Sequence, residues 1–90
     1  MEELSFGPQA DDVLTELEQD PSRAELLEAL NRSLDLLAAD PGDARCRLRR
    51  YQNIGVWGML ASPRGMPSWL ITWEPIEGVG IVVHTITLDP

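Results

Sequence analysis

Lysine is absent from this chain: all seven basic residues are arginines, set against 15 aspartates and glutamates, for a net charge of −8. That imbalance excludes broad affinity for nucleic acid, which is driven by the neutralisation of many phosphates, so any such contact has to be local. Cysteine occurs once, at Cys46, and histidine once, at His84. A lone cysteine forms no internal disulfide, and one Cys with one His falls short of a metal-ligand cluster, so the expectation is a protein with no cofactor and no metal. No apolar run approaches the ~20 residues that span a bilayer. The acidic opening residues also lack the basic and apolar regions of a signal peptide, so the chain reads as cytoplasmic, with no membrane partner.

What is present argues for a folded protein. Hydrophobic residues make up 43% of the 90 positions, enough for one small core, and residues 1–90 read as a single domain. The charge is segregated. Residues 1–44 hold 12 acids and two arginines, whereas residues 45–90 hold five arginines and three acids.

In chain order, Leu4 and Phe6 alternate with Glu3 and Ser5, which predicts a short strand over Met1 to Phe6. Pro8 then suits the first turn of a helix to about Gln19, in which Ala10, Val13, Leu14 and Leu17 form one apolar stripe. Asp20-Pro21 breaks it. Ser22 and Glu25 have the spacing of a capping box for a second helix, whose Leu26, Leu27, Leu30, Leu34 and Leu37 keep the helical period to Ala39. Asp40-Pro41-Gly42 stops it. Strands follow over Arg45 to Tyr51, Val56 to Ala61, Ser68 to Glu74 and Ile81 to Leu88, with turns at Asn53-Ile54-Gly55, at Ser62-Pro63-Arg64-Gly65 and over Pro75 to Gly80. The fourth strand, apolar on both faces through Trp69, Leu70, Ile71 and Trp73, reads as central. In the last, Val82, His84 and Ile86 share a face. The fold class is therefore α+β, a two-helix hairpin packed on one face of a mostly antiparallel four- to five-stranded sheet in the order β-α-α-β-β-β-β.

The segment Arg45-Cys46-Arg47-Leu48-Arg49-Arg50-Tyr51 carries four of the seven arginines. As a strand it puts Arg45, Arg47 and Arg49 on one face, with Cys46, Leu48 and Arg50 on the other, making the basic stripe either an anion site or an exposed face paired with the acidic helices. Tyr51 could stack on a base or simply anchor the adjoining loop. His84 is the natural proton shuttle by its intrinsic pKa, and equally a hydrogen-bonded sheet residue. The three tryptophans read first as core.

The element order resembles that of the RelE/ParE superfamily of toxins from bacterial toxin–antitoxin systems. The likeness is carried by Phe6-Gly7-Pro8-Gln9-Ala10, by Leu36-Leu37-Ala38-Ala39-Asp40-Pro41, by the arginine run after it, and by the hairpin from Leu70-Ile71-Thr72-Trp73 to Ile81-Val82-Val83. The resemblance implies a cognate antitoxin as partner and is compatible with a homodimer. RelE-like members cut ribosome-bound messenger RNA without metal; ParE-like members bind DNA gyrase. For a nuclease, the implied substrate-binding residues are Arg45, Arg47, Arg49 and Arg50, and the implied catalytic residues Arg47, Arg49, Tyr51 and His84. The family's nucleases carry a basic residue where Trp69 stands and Arg, His or Tyr where Leu88-Asp89-Pro90 stands. The alternative is therefore a non-enzymatic interaction protein, either gyrase-directed or binding only its antitoxin.

Overall fold

The computed structural model describes residues 3–89, so the expected start of the first strand at Met1 lies outside the described residues. The strands are β1 (Leu4–Phe6), β2 (Arg49–Tyr51), β3 (Val56–Ala61), β4 (Trp69–Ile76) and β5 (Gly80–Leu88), and the helices α1 (Pro8–Glu18) and α2 (Ala24–Ala39). They form one five-stranded sheet in the order β1-β5-β4-β3-β2. Short turns make the last four strands antiparallel neighbours. β1 reaches the sheet on the far side of the helices and runs parallel to β5, the one parallel pair among the described residues. The helical crossover therefore carries the chain from one edge of the sheet to the other.

Both helices bury the same sheet face. Ala10 and Leu17 of α1 and Leu26, Leu30, Leu34 and Leu37 of α2 share one cluster with Met59, Ala61, Ile71, Trp73, Ile81, Val83 and Ile86. Each leucine buried there contributes about 1.5–3 kcal/mol by removal from water, which neither helix obtains without the sheet. Trp73 is fully buried at the centre, and its indole Nε1–H donates to the Cys46 carbonyl at 2.8 Å, satisfying a polar group inside the core. Among the described residues no helix is long and apolar enough to cross a membrane.

Four expectations need correcting. The strand over Arg45 to Tyr51 is only Arg49–Tyr51, because Ala44–Arg47 winds into a 3-10 turn. Asp43 caps that turn by accepting from the Arg45 amide at 2.8 Å, and the winding sends Cys46 into the core at 0% exposure. The capping box does not form either. Asp20 accepts from the Ser22 amide and hydroxyl, a 3-10 turn covers Pro21–Arg23, and α2 begins at Ala24 with no side-chain cap. In β5 an irregularity opposite Thr72 and Trp73 makes His84 the extra residue between Thr85, paired with Thr72, and Val83, paired with Trp73. Ile86 consequently points into the core with Ile81 and Val83, and does not share a face with Val82 and His84. Finally, β4 runs through Pro75 to Ile76 and the turn shrinks to three residues. Pro75 is tolerated there because β4 has passed the last β3 pair, Trp57 with Trp73.

Candidate functional site

The arginine segment divides into two kinds of guanidinium. Arg45 folds back on Asp43, with Nε to Oδ1 at 3.0 Å and Nη2 to Oδ2 at 2.9 Å. The Arg45 guanidinium, helped by the Arg45 amide, holds the Asp43 carboxyl down to about 2. Arg49 makes the same bidentate contact with Asp89, at 2.7 and 3.1 Å, and this pairing holds Asp89 below the usual carboxylate range. Arg47 and Arg50 have no carboxylate within ion-pairing distance among the described residues. They lie over one indole instead: the Arg47 guanidinium carbon is 5.0 Å from the Trp57 ring centroid and that of Arg50 is 4.7 Å from it. Arg47 is also 5.8 Å from Trp73, and its Nε–H donates to the Pro41 carbonyl at 2.9 Å, which sets the plane of the guanidinium.

The remaining candidates lie on the sheet face that the helices leave uncovered. Tyr51 packs over Gly58 beside Leu70 and the stem of Arg49: a Cβ built on Gly58 would meet these side chains at 3.0, 3.1 and 3.3 Å. His84 Nε2 is 2.7 Å from Glu74 Oε1. Thr72 and Thr85, cross-strand partners, share a hydroxyl hydrogen bond at 2.5 Å on the same face. Cys46 is buried, and burial pushes its thiol up, which disfavours the nucleophilic thiolate.

The structure does not bring these side chains to one point. His84 on β5 and Arg49 on β2 are separated by three strand spacings, about 14 Å of backbone at ~4.8 Å per step. General acid–base chemistry on one phosphate requires its groups within hydrogen-bond reach of the same few atoms. Arg47 faces the other way, into a cleft of about 750 Å³ walled by Pro41, Ile76 and Val79 and flanked by Glu3 and Glu77. No group of three or more His, Cys, Asp or Glu is placed to hold a metal among the described residues.

Sequence reasoning missed the acids. Asp43 was legible, because an Asp two residues before an arginine after Pro-Gly is a turn cap. Asp89 was not, because it meets Arg49 across 40 residues. The role of Trp57 as a shared platform also depends on tertiary packing. No protein-family model, no curated protein and no solved structure matches this chain.

Proposed function

We propose that this protein acts by contact, as a non-enzymatic interaction protein and the toxin-like member of a RelE/ParE-like toxin–antitoxin pair. The observation that carries the reading is the prior engagement of the groups that would have to do phosphate chemistry. Arg45 and Arg49 are each held by a carboxylate, and His84 sits on Glu74. His84 and Arg49 are also three strands apart. Transition-state cations need free donors aimed at a single developing charge, and among the described residues this sheet face offers none in that arrangement. The family comparison is supported by the β-α-α-β-β-β-β order and by two helices on one sheet face.

Ribosome-dependent cleavage of messenger RNA is the competing reading, favoured by Arg47 and Arg50, which hold no carboxylate among the described residues. Induction of the wild-type chain, with ribosome-bound message mapped for cuts, separates the two. A contact-acting protein leaves message intact, and His84→Ala and Arg49→Ala leave its effect on growth unchanged. Cleavage that disappears in Arg47→Ala, Arg49→Ala or His84→Ala proteins that still fold would overturn the interaction reading. Co-purification with the product of an adjacent small gene tests the pairing itself.

A further inference from the structure

We propose that the cleft at the turn end of the β4–β5 hairpin binds a free α-amino acid with an apolar side chain, Arg47 taking its carboxylate and Glu3 with Glu77 its ammonium group. The cleft has a volume of about 750 Å³, and Pro41, Ile76 and Val79 are its apolar walls. It lies apart from the uncovered sheet face, so the inference goes beyond the interaction reading and stands whether or not the protein acts by contact. Arg47 is positioned before any ligand arrives. Its guanidinium carbon is 5.0 Å from the Trp57 ring centroid and 5.8 Å from that of Trp73, and its Nε–H donates to the Pro41 carbonyl at 2.9 Å. A guanidinium fixed on two indoles and by one nitrogen loses little further freedom on binding, and its terminal nitrogens are left to meet a carboxylate.

Charge selects the ligand. Glu3 and Glu77 line the same cleft as Arg47, yet neither lies within ion-pairing distance of it, whereas Arg32, Arg45 and Arg49 each hold a carboxylate. The anchorage of Arg47 on Pro41 and the indoles thus keeps the opposite charges of the cleft from closing on each other. A phosphate or a simple carboxylic acid would gain Arg47 and meet two carboxylates; a simple amine would gain the carboxylates and meet Arg47. A zwitterion offers a partner to each, and brings no net charge for a chain at −8 to repel. The walls select its side chain. Ile76 and Val79 are large hydrophobic residues left 37% and 52% exposed, and an apolar side chain laid against them and Pro41 removes apolar surface from water on both partners. An apolar cleft with a few convergent polar groups is the usual form of a small-molecule site.

The test is a titration of the full chain with L-leucine, followed by tryptophan fluorescence and by NMR. Expected are a saturable change in emission, a shift of the Trp57 indole N–H, and amide shifts at Arg47 and over residues 76–81. N-acetylleucine, which lacks the ammonium, and leucinamide, which lacks the carboxylate, should each bind about tenfold or more weakly, the scale of a lost charge-assisted hydrogen bond. Glycine, which keeps both charges without the side chain, should also bind about tenfold or more weakly. In Arg47→Gln the preference for leucine over leucinamide should disappear. In Glu3→Gln with Glu77→Gln the preference over N-acetylleucine should disappear while that over leucinamide remains. Substitutions that merely loosened the cleft would lower all these affinities together, and should Arg47→Gln fail to fold, the analogue series on the wild-type chain and the glutamate variants still decide. No saturable response to leucine, equal or tighter binding of either blocked analogue or of glycine, shifts confined to another surface, or analogue preferences unchanged in folded variants would each overturn the proposal.

Discussion

Gly58 lacks a side chain at the point where Tyr51 crosses the sheet. A methyl group there would meet Tyr51 Cε2 at 3.0 Å and Leu70 Cδ1 at 3.1 Å, with the Arg49 stem at 3.3 Å behind them. The glycine thus makes room for an aromatic ring that covers the bare backbone, and Tyr51 is committed to packing. Gly58→Ala is expected to lower stability by about 1–3 kcal/mol in urea unfolding, because the ring and Leu70 have to move together. If Tyr51 were instead a loosely held stacking group it would swing aside, and the cost would fall within the ~0.5 kcal/mol usual for surface substitutions. Gly80 is constrained differently: its φ of 111° and the Glu3 carbonyl 3.0 Å from a would-be Cβ admit no other residue without a backbone shift.

At the scale of elements, the edge of β5 shows how a three-residue strand protects a nine-residue one. β1 pairs only Leu4 to Phe6 with Ile81 to Val83, and the Gly7 amide extends the contact by donating to the Val83 carbonyl at 2.8 Å. Beyond that the chain has turned into α1, and the Gln9 side chain takes the place of a strand residue. Its Nε2–H donates to the Ile86 carbonyl at 3.0 Å and its Oε1 accepts from the Ile86 amide at 2.8 Å. A carboxamide reproduces the donor–acceptor pair of a peptide group, so the ladder continues without backbone. Gln9→Ala leaves both Ile86 groups without a partner in a part-buried site, and a loss of about 1–3 kcal/mol is expected. Faster hydrogen exchange at the Ile86 amide should accompany the lower urea midpoint. An Ile86 amide that stays protected in the variant would show that α1 or solvent replaces the contact.

The whole molecule is acidic enough for charge to shape its response to pH. Self-repulsion at net charge −8 relaxes as carboxylates take up protons, which favours the compact state as pH falls toward 4. Asp43 and Asp89 act in the opposite sense. Arg45 and Arg49 lower their folded-state values, Asp43 from an ordinary 3.8 to about 2, so their stabilisation is complete above the ordinary carboxylate range and is lost as pH falls through the folded values. The expected profile of Tm is level or gently rising from pH 7 to about 4, then falling toward about 2. Asp43→Asn and Asp89→Asn should each flatten that acid limb while lowering Tm at neutral pH. An unchanged limb in both variants would mean that the two pairs do not couple to folding.

Much of this architecture was legible from local patterns, because each helix and strand has to bury one face and so writes its period into the sequence. The leucines of α2 at helical spacing, the alternation through Trp69, Ile71 and Trp73, and the Pro and Gly stops define the elements, their order and the α+β class without reference to neighbours. The chain by itself also determined the absence of lysine, the acidic excess and the clustering of arginines. Tertiary structure decided what the arginines do. Period 2 suited residues 45–51, yet the Asp43 cap and the burial of Cys46 wind residues 44–47 into a turn, which sends Arg47 to the indoles of Trp57 and Trp73 and parts it from Arg49. The same holds for His84, displaced from the face of Ile86 by one extra residue in β5, and for Arg49, neutralised by Asp89 40 positions away. A single turn or bulge reverses the side of every residue that follows, and an ion pair between distant segments exists only after the sheet has assembled, so neither is written in any local stretch of sequence.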